Sequence, residues 1–185
     1  MSPTIRKIFL TAGHRGGTSG ANYNGINEAE ETIWLRNKIV SILRKKEIDV
    51  SIDDDTANLS TVIETINSSC SVVDICVDLH FNAFSDNSVN GTEVLKPNNY
   101  SITELEVAED LLYATCMILG TQNRGIKKEG TGQYKRLAML SDVKCNSVLL
   151  EICFISNKED VKKYQEHKEE LAIMLAEQLA QHAYC

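Results

Sequence analysis

The sequence predicts an α/β domain, a three-layer sandwich in which helices cover both faces of a β-sheet. Segments with strand character alternate with segments of helical spacing along the whole chain, and this alternation is typical of sheets flanked by helices. The segment 72–80 is also β-branched and mostly apolar. That composition is expected of a central strand whose two faces are both buried.

The predicted elements follow one another in a simple order. Apolar spacing over 33–44 and 105–119 predicts two long helices, and Gly120 is suited to end the second. The Gly-rich, basic stretch 122–134 predicts a loop. The remaining predictions are strands over 5–10, 48–52, 72–80, 91–95, 137–140 and 148–154, a turn-rich segment over 13–25, and helices over 59–66 and from Lys158 onward.

Size and charge narrow the range of functions. The 185 residues have the size of one ordinary domain, and we find no repeat or linker, so a single domain over 1–185 is expected. The net charge of −7 argues against a nucleic-acid partner, which requires a basic face. No segment approaches the ~20 apolar residues of a transmembrane helix. No signal peptide is visible, so synthesis in the cytoplasm is expected.

Two of the four histidines directly follow apolar strand segments: His14 and His80. In α/β sheets, ligands bind just beyond the carboxyl ends of the strands, so two strands that end in histidine can converge on one crevice. Imidazole is a common ligand of catalytic zinc, which makes the pair a candidate metal site. His167 and His182 fall in the predicted terminal helix, where a surface or packing role is favoured.

A catalytic zinc site takes a third protein ligand and leaves a fourth position for water. Three glutamates open the first predicted helix: Glu28, Glu30 and Glu31. Apolar residues follow Glu28 at offsets of 7, 11 and 14, so its side chain should lie on the buried stripe of the helix. Glu30 points elsewhere, and Glu31 is the weaker alternative.

One further carboxylate stands out, because Glu151 lies inside the apolar run 148–154. A charge in such a run is costly unless it is paired or lies near a metal ion. At a strand end, this side chain could take a proton from a water molecule that a zinc ion acidifies. This makes Glu151 a candidate catalytic residue.

The ordered set of motifs resembles the zinc-dependent N-acetylmuramoyl-L-alanine amidases, the amidase-3 type found in bacterial wall hydrolases and phage endolysins. Residues 11–17, TAGHRGG, resemble the family's opening G-H-G-G loop, and residues 78–83, DLHFNA, resemble its S-x-H-x-N-A strand end. The other matches are GA at 20–21, GINE at 25–28 with G-x-x-E, GTEV at 91–94, RGIK at 124–127 with R-G-x-K, LAML at 137–140 with L-x-V-L, and VLLEICFISN at 148–157 with V-L-x-E-x-G-F-x-S-N.

This resemblance implies a specific site and reaction. It implies His14, Glu28 and His80 as ligands of one zinc ion per chain and Glu151 as the acid/base. It also implies a mixed, mostly parallel sheet of about six strands. The implied substrate is peptidoglycan, cleaved at the amide between N-acetylmuramic acid and L-alanine. The enzyme would then act on the cell wall after release or delivery from the cytoplasm.

Four residues are predicted to contact the substrate. Asn82 and the 122–134 stretch are candidates for gripping the glycopeptide, and Arg124 and Lys127 for meeting the carboxylates of the stem peptide. Arg15 replaces a usual Gly and adds a charge at the cleft.

Two other positions depart from the family motifs. Asp78 stands where Ser is common, and Cys153 stands where Gly is common.

Two rival functions remain open at this point: a zinc exopeptidase that acts on free peptides, and an inactive wall-binding module.

Overall fold

A six-stranded sheet forms the centre of the molecule, with strand order β4-β1-β5-β8-β6-β7. The computed structural model describes residues 5–14, 20–23, 25–131 and 135–184. The strands are β1 Ile8–Ala12, β2 Asn22–Tyr23, β3 Ile26–Asn27, β4 Val50–Ile52, β5 Ile75–Asn82, β6 Thr92–Lys96, β7 Asn123–Lys128 and β8 Asn146–Phe154. The helices are α1 Glu28–Lys45, α2 Leu59–Ser69, α3 Ile102–Leu119, α4 Ala138–Ser141 and α5 Lys158–Ala183.

The sheet is mixed and mostly parallel. Parallel pairing joins β4 to β1, β1 to β5 and β5 to β8, whereas β6 runs antiparallel to β8 and parallel to β7. The carboxyl ends of β1, β5 and β8 therefore meet at one edge, and the start of β6 lies at the same edge. This is the edge at which α/β domains bind their ligands.

Helices cover both faces of this sheet. Along β5, Ile75, Val77 and Leu79 belong to a core shared with α1, α3 and α5, whereas Cys76 belongs to a second core shared with α2 and α4. Successive side chains of a strand point to opposite faces, so one apolar strand supplies both cores. The predicted three-layer α/β class is confirmed.

Local sequence signals set where the helices begin and end. Asn27 caps α1, because its side chain accepts a hydrogen bond from the Glu30 backbone N–H, an arrangement worth about 1 kcal/mol. Gly120 ends α3 in the left-handed conformation, as predicted. No helix in the described part of the chain is long and apolar enough to cross a membrane.

Two predicted elements are wrong. The stretch 122–134, predicted as a loop, contains the strand Asn123–Lys128. It is an edge strand whose residues are all partly or fully exposed, so the segment carries no apolar pattern to reveal it. The predicted strand 137–140 is instead the helical turn Ala138–Ser141, since a short apolar run fits either a strand or a buried turn.

Candidate metal centre

His14 lies just beyond the carboxyl end of β1. The backbone N–H of Gly13 donates to the carbonyl of Leu79 at 2.7 Å, which ties the end of β1 to β5. His14 itself has φ of 57°, a left-handed conformation that cannot continue a strand. The sequence thus places this imidazole where the chain leaves the sheet, at the ligand-binding edge.

Glu28 is held at the same edge by the start of α1. Its Oε2 accepts the backbone N–H of Ala21 at 2.9 Å, and its Oε1 accepts the backbone N–H of Phe81 at 3.0 Å. The side chain is only 2% exposed. Both carboxylate oxygens are therefore fixed by main-chain donors, one from the segment before α1 and one from β5.

Three side chains from β1, α1 and β5 meet here. His14 Nε2 lies 3.2 Å from Glu28 Oε2, and His80 Nδ1 lies 3.3 Å from Glu28 Oε1. One potential ligand atom from each of the three lies within 4.8 Å of the other two. Zinc bonds of 2.0–2.1 Å in a tetrahedron separate neighbouring ligand atoms by about 3.3–3.4 Å. The spacing and the nitrogen and oxygen donors therefore fit a zinc ion.

Two glycines make this close approach possible. A Cβ added at Gly13 would lie 2.5 Å from the His80 ring, and a Cβ added at Gly20 would lie 2.6 Å from Glu28 Oε2 and 2.7 Å from the His14 ring. Gly20 also has φ of +64°, which L side chains rarely adopt. Any larger residue at either position would displace a candidate ligand.

The charges around the group favour a cation. Burial would raise the pKa of Glu28, but the hydrogen bond and charge of His80 outweigh it and hold that pKa below its ordinary value. Burial would likewise lower the pKa of His80, but the neighbouring Asp78 and Glu28 carboxylates raise it well above its ordinary value. Both pKa shifts arise because carboxylates pack against the imidazole of His80. A bound metal ion would also neutralise the negative charge of these carboxylates.

Glu151 lies beside His80, because the two residues are partners in the β5–β8 register. The side chain is buried, and its Oε2 has no hydrogen-bond partner among the described residues. Burial raises the pKa of Glu151 to about 8, helped by the charges of Glu28 and Glu93 and opposed by that of His80. Among the described residues, the hydrogen-bonding capacity of this buried oxygen is therefore unused.

A second buried glutamate, Glu93, is the partner of Glu151 on β6. Its Oε1 accepts the Asn82 amide at 2.8 Å, and its Oε2 accepts Arg124 Nε at 2.8 Å and the ammonium of Lys127. The Arg124 guanidinium also lies 4.9 Å from the ring centre of Phe154. Glu93 thus gathers the three groups into one polar cluster next to Glu151.

The structure brings most of the predicted site residues to one edge of the sheet. His14, Glu28 and His80 form one group, with Glu151 next to His80. The predicted substrate contacts Asn82, Arg124 and Lys127 meet at Glu93, and Arg15 lies outside the described residues.

The alternatives set aside on the sequence lie elsewhere. Glu31 contacts Tyr164 and Lys168 on α5 rather than the histidines. His167 pairs with Glu170, and His182 pairs with Asp110. Glu31 and His182 therefore have packing roles, whereas His167 and Glu170 pair at the surface.

Sequence reasoning gave no role to Glu93 or Asp78, which also contact this site. Asp78 Oδ2 lies 3.0 Å from His80 Nε2, and Glu93 holds the polar cluster. Both are acidic residues within apolar strands, the same signal that singled out Glu151. Applied to every strand, that signal would have found all three.

Known proteins of similar sequence or structure include an amidase and two endolysins. The amidase LytC of Bacillus subtilis is 26% identical over 161 residues, which cover 86% of this chain and 31% of LytC. An endolysin of Bacillus phage SPP1 is 28% identical over 158 residues, covering 83% of this chain and 56% of that protein. The catalytic domain of the CD27L endolysin, which targets Clostridia difficile, has a TM-score of 0.76 at 28% identity, covering 95% and 97% of the two chains.

The present chain therefore spans about a third to a half of the length of these two curated relatives. The family model for N-acetylmuramoyl-L-alanine amidases matches residues 8–181, a range that contains all six strands of the main sheet and the candidate metal centre. This chain belongs to the N-acetylmuramoyl-L-alanine amidase family.

Proposed function

We propose that this chain hydrolyses the amide bond between N-acetylmuramic acid and L-alanine in peptidoglycan, with one zinc ion as cofactor. The observation that carries the proposal is the convergence of His14, Glu28 and His80 within 4.8 Å of one another, at the edge where Glu151 is buried. Membership of the amidase family supports the same reaction. The proposed place of action is the cell wall, after release or delivery.

His14, Glu28 and His80 would hold the zinc ion, and three protein ligands leave one position open for water or substrate. A zinc ion in such a site polarises a carbonyl oxygen and lowers the pKa of a water molecule from ~15.7 to about 7. The backbone N–H groups of Ala21 and Phe81 donate to the Glu28 carboxylate and fix its position independently of a metal ion. Holding ligands in place in this way makes a site rigid and specific.

Glu151 is the proposed acid/base. It takes the proton of the attacking water at its carboxylate and then delivers that proton to the alanine amine as the amide bond breaks. A side chain does both steps best when its pKa lies near the working pH, and burial raises the pKa of Glu151 to about 8. The zinc ion would lower this value again, towards neutrality.

Asn82, Arg124, Lys127 and Arg15 are the proposed substrate contacts. Arg124 and Lys127 keep 27% and 31% of their side chains exposed while they pair with the fully buried Glu93. Their positive charges are thus fixed and still accessible beside Glu151. Carboxylates of the stem peptide have the charge that such groups bind.

Digestion of purified peptidoglycan tests the proposal. The zinc-loaded protein should release stem peptides, creating muramoyl carboxyl groups and free alanine amines in equal number. Glu151→Gln, which keeps the shape of the side chain and removes its charge, is the matched control and should release almost none. New reducing ends in place of alanine amines would instead indicate a glycosidase and contradict the proposal.

A panel of peptides without the muramoyl group separates this function from its two rivals. The amidase should leave the panel intact, whereas a zinc exopeptidase would cleave it. A wall-binding module would sediment with peptidoglycan and release nothing from either substrate.

A further inference from the structure

The two ring nitrogens of His80 face two different carboxylates. Nδ1 lies 3.3 Å from Glu28 Oε1, in the candidate metal group, and Nε2 lies 3.0 Å from Asp78 Oδ2. Asp78 stands two residues before His80 on β5, so both side chains project from the same face of the strand. The nitrogens therefore have different partners and can have different tasks.

Asp78 is itself held rigidly. It is 2% exposed, and its Oδ1 accepts the hydroxyl of Thr11 at 2.6 Å. Thr11 is its partner in the β1–β5 register. A chain of contacts thus runs from β1 through Thr11 and Asp78 to His80.

A neutral imidazole has one N–H donor and one nitrogen with a free lone pair. Only the second kind of nitrogen can bind a metal ion. A carboxylate can only accept, and Asp78 Oδ2 is the nearer of the two, at 3.0 Å from Nε2 against 3.3 Å between Glu28 Oε1 and Nδ1. Since Glu28 is itself a candidate ligand, we place the proton of the neutral ring on Nε2, which leaves Nδ1 to face Glu28 and the ion.

We propose that Asp78 is a positioning residue that holds His80 in the tautomer with Nδ1 as metal ligand and thereby tightens metal binding. The inference rests on the proposed function, since it assumes that His80 is a ligand. A carboxylate behind a metal-bound histidine orients the ring and makes its nitrogen a stronger donor. The Ser common at this position in the family motif could accept the same hydrogen bond, but it brings no charge.

Zinc affinity of the full chain, measured by competition with a chromophoric chelator at fixed pH, tests the proposal. Asp78→Ala, which removes the acceptor, should raise the dissociation constant about 10–100-fold, the usual effect of losing such a partner, and Asp78→Asn, which keeps an acceptor oxygen without the charge, should raise it less. Asp74→Asn is the matched control. It removes another buried acid near the opposite end of β5, where Asp74 accepts the backbone N–H groups of Lys7 and Ser71, and should leave zinc affinity unchanged.

Unchanged affinity in both Asp78 variants would overturn the inference while leaving the proposed function intact. If His80→Ala and His14→Ala instead bind zinc as tightly as the wild type does, the proposed metal site itself fails. The two failures are thus distinguishable.

A second measurement needs no variant. In zinc-loaded protein with ¹⁵N-labelled histidine, NMR identifies the His80 nitrogen that carries the proton. We expect the proton on Nε2 and the metal at Nδ1. Zinc bound through Nε2, or a proton on Nδ1, would overturn the proposal even if every Asp78 variant failed to fold.

Discussion

Glu93 and Glu151 are two buried glutamates that lie opposite each other on neighbouring strands, yet their surroundings differ completely. Glu93 is fully buried and is contacted by Asn82, Arg124 and Lys127. Glu151 is also buried, but its Oε2 has no hydrogen-bond partner among the described residues. Glu93 thus has two cationic partners and an amide donor, whereas one oxygen of Glu151 has no donor among the described residues.

The difference separates two uses of a buried charge. A buried carboxylate with cationic partners organises its neighbours, as Glu93 does. A buried carboxylate without such partners has a raised pKa and can exchange protons near neutral pH. The contrast predicts opposite results for the same Glu→Gln change at the two positions.

The largest expected effect is on catalysis. Glu151→Gln should lower the turnover of peptidoglycan by about 10²–10⁴-fold, because the variant cannot accept or deliver a proton. Zinc stoichiometry should stay that of the wild type, since Glu151 is not one of the three proposed ligands. Near-normal alanine release by this variant would remove Glu151 from the mechanism.

The next effect concerns the pH dependence of stability in the metal-free protein. The pKa of Glu151 is about 8 in the fold and about 4.3 in an unfolded chain. The folded state therefore binds the extra proton between these values, and the free energy of unfolding should fall as pH rises from about 4.3 to about 8.

Urea titrations of the metal-free wild type and Glu151→Gln across this range measure the effect. One pKa unit corresponds to about 1.4 kcal/mol, so the wild type should lose on the order of a few kcal/mol relative to the variant. Parallel pH profiles for the two proteins would mean that the pKa of Glu151 is not raised by burial in the fold.

A smaller effect of opposite sign is expected at the partner glutamate. Glu93→Gln should lower the free energy of unfolding at pH 8 by about 1–3 kcal/mol, because Arg124 and Lys127 lose their charged acceptor. At the same pH, Glu151→Gln should be neutral or stabilising. An equal decrease in the free energy of unfolding in both variants would contradict the difference described between the two glutamates.

The smallest effect is on substrate binding. Lys127→Gln should raise KM up to about 5-fold with little change in kcat, the range of one partly exposed ion pair of about 0.2–1 kcal/mol. The adjacent Lys128→Gln is the matched control, because successive strand residues point to opposite faces. Equal KM changes in both variants would point to general charge loss and against a specific contact by Lys127.

Local sequence patterns predicted the fold class and the residues of the site. They did not predict the side-chain contacts among those residues. Apolar segments that end in His14 and His80, and the helical stripe that turns Glu28 inward, located three side chains at one edge of the sheet. Glu93 and Asp78 stayed unassigned because their partners come from strands distant in sequence. A pairing of that kind depends on register, which the strand pattern alone does not specify.

The two incorrect elements have different physical causes. The strand Asn123–Lys128 lies at the edge of the sheet and none of its residues is fully buried, so it carries no apolar pattern. The turn Ala138–Ser141 buries Met139 and Leu140 with too few residues to display a period. Sequence patterns are informative where burial is continuous, and they fail at edges and in short turns.

Anomalous diffraction at the zinc edge, on crystals of the zinc-loaded protein, tests the central claim most directly. The account predicts one strong peak, bounded by His14, Glu28 and His80 Nδ1, with the Glu151 carboxylate facing the open side of the ion. A peak at another set of side chains, or none at these three residues, would contradict it.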